Sequence, residues 1–134
     1  MSCKSALYAV NNSLPTIPAA GVIPFGTVIR RFGCNIQLAG TGVTLSGAGY
    51  YDVDVSVTLS PSAIGTVTVS LLKDGVLIPG ASAAETVTAA GDTVNLSFSA
   101  IVRLQCCEDT STLTLVLSGG AATINNASIV VEKL

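Results

Sequence analysis

The chain has 134 residues, of which 49% are apolar and only 10% charged, with a net charge of −2 and no His. The absence of His excludes Ser–His and Cys–His nucleophile pairs. The six Lys and Arg residues are scattered apart from one adjacent pair, which argues against nucleic acid as a partner. No apolar run approaches the roughly 20 residues that a membrane-spanning helix needs.

The low charge density indicates that the chain does not act alone. A chain of this length forms one domain and buries roughly two-thirds of the surface that it exposes when unfolded. Soluble domains carry about 25% charged residues, so this surface must be covered by Ser, Thr, Asn and Gly or hidden against other copies of the chain. We expect both, and the second predicts a homo-oligomer.

The first 20 residues show little regular pattern. A short apolar-polar segment, residues 5–10, precedes a polar stretch with Pro15 and Pro18, which is typical of a loop. No signal-peptide pattern is present, so we expect synthesis in the cytoplasm. We interpret residues 1–20 as a docking or tether segment that orders on a partner. Residues 21–134 would then form the folded domain, and deletion of residues 2–18 should leave it folded.

Residues 49–60 give the strongest strand pattern, because apolar and polar side chains alternate without a break. Alternate side chains of a strand point to opposite faces. The predicted core row is Tyr51, Val53, Val55, Val57 and Leu59. The opposite row is Asp52, Asp54, Ser56 and Thr58.

Turn signals separate the other predicted strands. Pro24 confines residues 22–32 to a strand pair or an edge strand, and residues 40–42 favour a hairpin. Asp74-Gly75 between two alternating runs is typical of a type I′ hairpin turn. Over residues 94–104 every second residue is apolar, which predicts either one strand or two strands joined at a bulge near Ala100.

About ten such strands, with no apolar spacing of 3.6 residues, predict an all-β sandwich or jelly roll without helices. Further short strands are expected at residues 35–39, 43–46, 76–80, 85–90, 113–117 and 128–132.

The order of motifs over residues 20–134 resembles the C1q/TNF-like jelly-roll family, in its short bacterial and phage forms. The resemblance rests on Gly49-x-Tyr51, the Leu72-to-Gly75 turn, the Gly91-to-Val94 turn and a terminal apolar strand. It implies a ten-stranded antiparallel jelly roll and a homotrimer with one sheet around the threefold axis. No collagen-like Gly-X-Y repeat is present, and the last strand lacks aromatic residues, so we expect small and aliphatic side chains at the axis.

Asp52 and Asp54 are the only candidate carboxylate pair in a strand, about 7 Å apart by strand rise. Every strand produces this spacing, so we interpret them as a solvated or interface-facing row and predict no catalytic residues. If the row lies at a subunit interface, Arg30, Arg31 or Arg103 of a neighbouring copy would pair with it.

The cysteines favour reduced thiols over a disulfide in a chain without an export signal. They are Cys3, Cys34, Cys106 and Cys107. Without a Cys-x-x-Cys pair or His, we predict no zinc site, no other metal and no cofactor. A trimer adds one alternative, in which three copies of the same cysteine lie around the threefold axis.

From the resemblance we expect a structural virion surface protein, either a trimeric capsid decoration or the head of a bacteriophage fibre, and not an enzyme. Residues 1–20 would join it to the larger particle. The alternative is a receptor- or carbohydrate-binding module on a phage, bacterial or spore surface. Its ring-bearing candidates are Tyr8, Phe32 and Tyr50, because sugar sites usually present exposed aromatic rings.

Overall fold

A computed structural model describes residues 5–12, 16–18, 20–33, 35–104 and 110–134. These residues form twelve β-strands and no helix, which confirms the predicted all-β class. The strands are β1 (Ala6–Asn11), β2 (Thr16–Ile17), β3 (Val22–Ile23), β4 (Thr27–Phe32), β5 (Ile36–Ala39), β6 (Gly42–Ser46), β7 (Gly49–Pro61), β8 (Gly65–Lys73), β9 (Val76–Val87), β10 (Val94–Leu104), β11 (Thr110–Ser118) and β12 (Ala122–Lys133). The ten strands longer than two residues match the predicted number.

The strands make two antiparallel sheets. Sheet one has the order β10-β7-β12-β1-β4, with β2 beside β12, and sheet two has the order β5-β6-β11-β8-β9, with β3 beside β11. The chain changes sheet repeatedly: β7 belongs to sheet one, β8 and β9 to sheet two, and β10 to sheet one again. This exchange between two packed sheets is the predicted jelly-roll sandwich.

The period-two alternation places one row of each central strand in the core. In β7 the predicted row of Tyr51, Val53, Val55, Val57 and Leu59 is buried, with at most 2% of each side chain exposed. Sheet two covers this row with the buried side chains of β8 and β11: Val67, Val69, Leu71, Leu113, Leu115 and Leu117. Full burial of such a side chain contributes about 1.5–3 kcal/mol relative to exposure.

Both predicted hairpins form. Asp74 and Gly75 have φ angles of 52° and 84°, and Lys73 pairs with Val76, as a type I′ turn requires. Gly40 has a φ angle of 60° in the link between β5 and β6.

Two strands are longer or more regular than the pattern indicated. The structure joins residues 76–80 and most of 85–90 into one strand, β9, with a register shift against β8 between Ser70 and Leu72. Pro79 is tolerated because β9 lies at the edge of sheet two. β10 is one strand that pairs with β7 from Val94 to Leu104 without a register shift, so no bulge occurs near Ala100.

The described residues before Gly21 belong to the sandwich. β1 lies between β12 and β4 in sheet one, and Leu7 and Ala9 are 1% and 0% exposed. Ile17 of β2 is buried beside β12. An interior strand cannot be removed without breaking two ladders, so the fold does not divide at residue 20. The docking role of residues 1–20 stays a prediction.

Candidate subunit interface on sheet one

The outer face of sheet one holds the side chains that alternate with the core rows. Strand register aligns them across the sheet. One row is Ile101, Asp52, Glu132, Ala6 and Phe32. The next is Ser99, Asp54, Val130, Tyr8 and Arg30. The third is Ser97, Ser56, Ser128, Val10 and Thr27.

Asp52 and Asp54 lie on this outer face, as the alternation predicted, with Asp52 half-buried and Asp54 exposed. Glu132 of β12 lies directly opposite Asp52. Like charges in a cross-strand pair destabilise a sheet, so this part of the face favours a cation. Within the described part of the chain, no three Asp, Glu, Cys or His side chains come together as a metal site. We refer to Asp52, Asp54 and Glu132 as the acidic group.

A shallow depression of about 440 Å³ lies beside Asp54. It forms because small hydroxyl side chains meet on three adjacent strands. Its outward-facing lining includes Ser56, Ser97, Ser99 and Ser128. Side chains of this size leave room for a larger group from outside, and their hydroxyls can donate or accept hydrogen bonds.

The three arginines considered above are divided between the two edges of sheet one. Arg30 and Arg31 are exposed on the edge strand β4. Arg103 lies on the opposite edge strand, β10, with its guanidinium carbon 5.9 Å from the centre of the Tyr50 ring. The Lys73 Nζ atom donates a hydrogen bond to the carbonyl oxygen of Arg103 at 2.9 Å. The Arg103 guanidinium thus lies over a ring of the same chain, whereas Arg30 and Arg31 are exposed at the other edge.

The three candidate rings share the outer face but not one cluster. Tyr8, Tyr50 and Phe32 are 39%, 52% and 60% exposed. Tyr8 and Phe32 lie near the β4 edge, and Tyr50 lies near the β10 edge. Exposed Tyr, Phe and Arg side chains are typical of protein interfaces. The structure places these rings on a sheet face rather than on loop tips.

Further apolar residues, which the sequence did not single out, extend this surface. Ile101 of β10 is 60% exposed, and Val76 and Leu77 after the β8–β9 turn are 69% and 50% exposed. Together with Pro79 and Arg103 they line a second depression of about 430 Å³. The alternation of apolar and polar residues predicted strands here. Which of their side chains stay exposed depends on which strand lies at the edge of the sheet, and the local sequence does not specify that.

Cys3, Cys34, Cys106 and Cys107 fall outside the described residues. The residues whose structure is described include no helix that could cross a membrane.

Comparison with known proteins gives a fold and no sequence family. No protein-family model matches the chain, and no curated protein matches at a significant level. Among solved structures, murine APRIL at pH 5.0 superposes with a TM-score of 0.73 at 13% identity, covering 98% of this chain and 99% of that one. The globular domain of zebrafish complement 1qA has a TM-score of 0.69 at 12% identity, covering 96% and 95%.

A third similar structure is the PRD1 vertex protein P5, with a TM-score of 0.67 at 14% identity, covering 100% of this chain and 99% of that one. The likeness therefore extends over essentially the whole of each chain. The resemblance to the C1q/TNF-like jelly roll is confirmed at the level of the fold.

Proposed function

We propose that this protein is a structural component of a virus particle, a homotrimeric jelly roll that decorates a bacteriophage capsid or forms the head of a fibre. The observation that carries the proposal is the match in fold, over the whole of both chains, to a vertex protein. The proposed role is passive, and it assigns no catalytic residue to a chain without His.

The outer face of sheet one supports the trimer. It combines exposed rings, exposed aliphatic side chains and arginines in a chain with only 10% charged residues. Monomeric proteins rarely expose large contiguous apolar patches. Covering this face with a second copy removes Tyr8, Phe32, Tyr50 and Ile101 from water.

Two measurements test the proposal. Light scattering of the purified protein should give three times the 13.4 kDa of one chain. Intact phage particles purified from cells that produce the protein should contain it, and an antibody against it should label their outer surface. A protein that is monomeric and absent from purified particles would contradict the proposal.

The surface-binding alternative keeps one supporting observation, the exposure of Tyr8, Phe32 and Tyr50. A trimer built through sheet one would cover these rings, whereas binding to a receptor or carbohydrate requires them to be accessible. Substitution Phe32→Ala should weaken the trimer under our proposal. Under the alternative it should abolish binding to a glycan array and leave the mass unchanged.

A further inference from the structure

The outer face of sheet one carries opposite charges on different strands. The acidic group lies on β7 and β12, and Arg30 lies on the edge strand β4. Asp54 and Arg30 belong to the same row but are separated by β12 and β1. Three strand spacings amount to about 14 Å, which is too far for an ion pair within one copy.

Neither the acidic group nor Arg30 lies against an opposite charge in the described structure of a single copy. Asp52 faces Glu132 across the ladder. The Arg103 guanidinium, which is diagonal to Asp52, lies over Tyr50 instead. The described contact of the Arg30 guanidinium is a 3.5 Å approach from its Nη1 atom to the carbonyl oxygen of Ile29, which is long for a hydrogen bond.

On the basis of the homotrimer proposed above, we propose that Arg30 of one copy pairs with Asp54 of the next. The β4 edge of a second copy of this chain thus lies against the acidic group. The serine side chains beside Asp54 are small, so an edge strand can approach the sheet there. Contacts that join the β4 edge of one copy to the acidic group of the next are heterologous, and a closed ring of three copies satisfies every such contact.

A charge exchange within one chain tests the pairing. The variants are Asp54→Arg, Arg30→Asp and the double variant with both changes, and the measurement is the trimer dissociation constant by analytical ultracentrifugation. Asp54 and Arg30 are both exposed, so the fold should survive, which circular dichroism and the melting temperature will check. Glu85→Arg is the matched control, because Glu85 is an exposed acid on β9 of sheet two.

We expect each single reversal to shift the midpoint concentration of dissociation upward by at least about tenfold, because like charges then meet in the interface. The double variant should return to within about threefold of wild type, and Glu85→Arg should match wild type. Rescue reports a contact between copies, since the two residues cannot meet in one chain.

Two failures are distinguishable. If wild type is a trimer but the single reversals do not weaken it, or the double variant is no tighter than the weaker single variant, the Arg30–Asp54 pairing is wrong and the trimer stands. If wild type stays monomeric at every concentration, the proposed trimer is wrong, and this pairing with it.

Discussion

The two sheets have similar inner faces and different outer faces. Inside, both present rows of Val, Leu and Ile that are almost fully buried. Outside, the described outward positions of β6, β8 and β11 in sheet two carry no charged residue and are mostly Thr and Ser. The outer face of sheet one instead carries the acidic group, two arginines and exposed rings.

The difference indicates what each face meets. Thr and Ser satisfy strand propensity and remain hydrated, and pairs such as the Thr66 and Thr86 hydroxyls, 2.8 Å apart, hydrogen-bond across the strands. Rings and arginines on sheet one are typical of an interface. This contrast supports the proposal that sheet one faces neighbouring copies and that the Thr- and Ser-rich strands of sheet two face solvent.

The largest expected effect comes from removing β1 from sheet one. Deletion of residues 2–18 should abolish folding, because it opens both ladders of an interior strand and removes the buried Leu7 and Ala9. Such a loss exceeds the 5–15 kcal/mol that typically stabilises a domain. Circular dichroism and solubility will report it.

Two neighbouring substitutions in β1 distinguish a structural role for this strand from a docking role. Leu7→Asp, at a buried site, should unfold the protein, and Tyr8→Asp, at a neighbouring exposed site, should leave it folded. A deletion variant that stays folded but no longer joins particles would instead support a separate tether at residues 1–20.

The link between the sheets depends on Gly119, which connects β11 of sheet two to β12 of sheet one. Its φ angle is +93°, and a Cβ atom there would collide with the carbonyl oxygen of Thr66. Gly119→Ala should lower the free energy of unfolding by about 2–4 kcal/mol, because both the conformation and the contact resist a side chain. Chemical denaturation measures this.

Gly120→Ala is the control, since a Cβ atom at Gly120 meets nothing within 4 Å. Its effect should stay within about 0.5 kcal/mol. Equal losses at both positions would show that the Thr66 contact does not restrict this link.

A smaller effect is expected at Tyr51, which ties β7 of sheet one to the end of β6 in sheet two. Its hydroxyl lies 2.7 Å from the carbonyl oxygens of Ser46 and Gly47, and the side chain is fully buried. Tyr51→Phe should reduce the free energy of unfolding by about 1–2 kcal/mol, because the buried side chain loses a hydrogen bond to a part-buried carbonyl oxygen. The exposed neighbour provides the control: Tyr50→Phe should leave stability unchanged, and an equal loss there would contradict the assignment.

The sequence predicted the faces of strands well, because alternation is a local property. The core row of β7, the single parity of residues 94–104 and the Asp74-Gly75 turn all depend on residues close together in the chain. The outward placement of Asp52 and Asp54 follows from the same parity.

Register between distant strands could not be predicted. The pairing of Asp52 with Glu132 joins positions far apart in the chain, and nothing local specifies it. The same limit applies to β1: residues 5–10 form a short segment of mixed apolar and polar residues, and only the ladders with β12 and β4 show that it is an interior strand. Which apolar residues stay exposed, such as Ile101, also depends on strand order.

The most direct test of the difference between the sheets places the same large cation on each outer face. Ser56 of β7 and Ser70 of β8 are both half-buried, outward-facing serines in the middle of long strands. By light scattering, Ser56→Arg should give the 13.4 kDa of one chain and Ser70→Arg three times that mass. If Ser56→Arg remains a trimer, or if Ser70→Arg alone dissociates, sheet one is not the face that joins the copies.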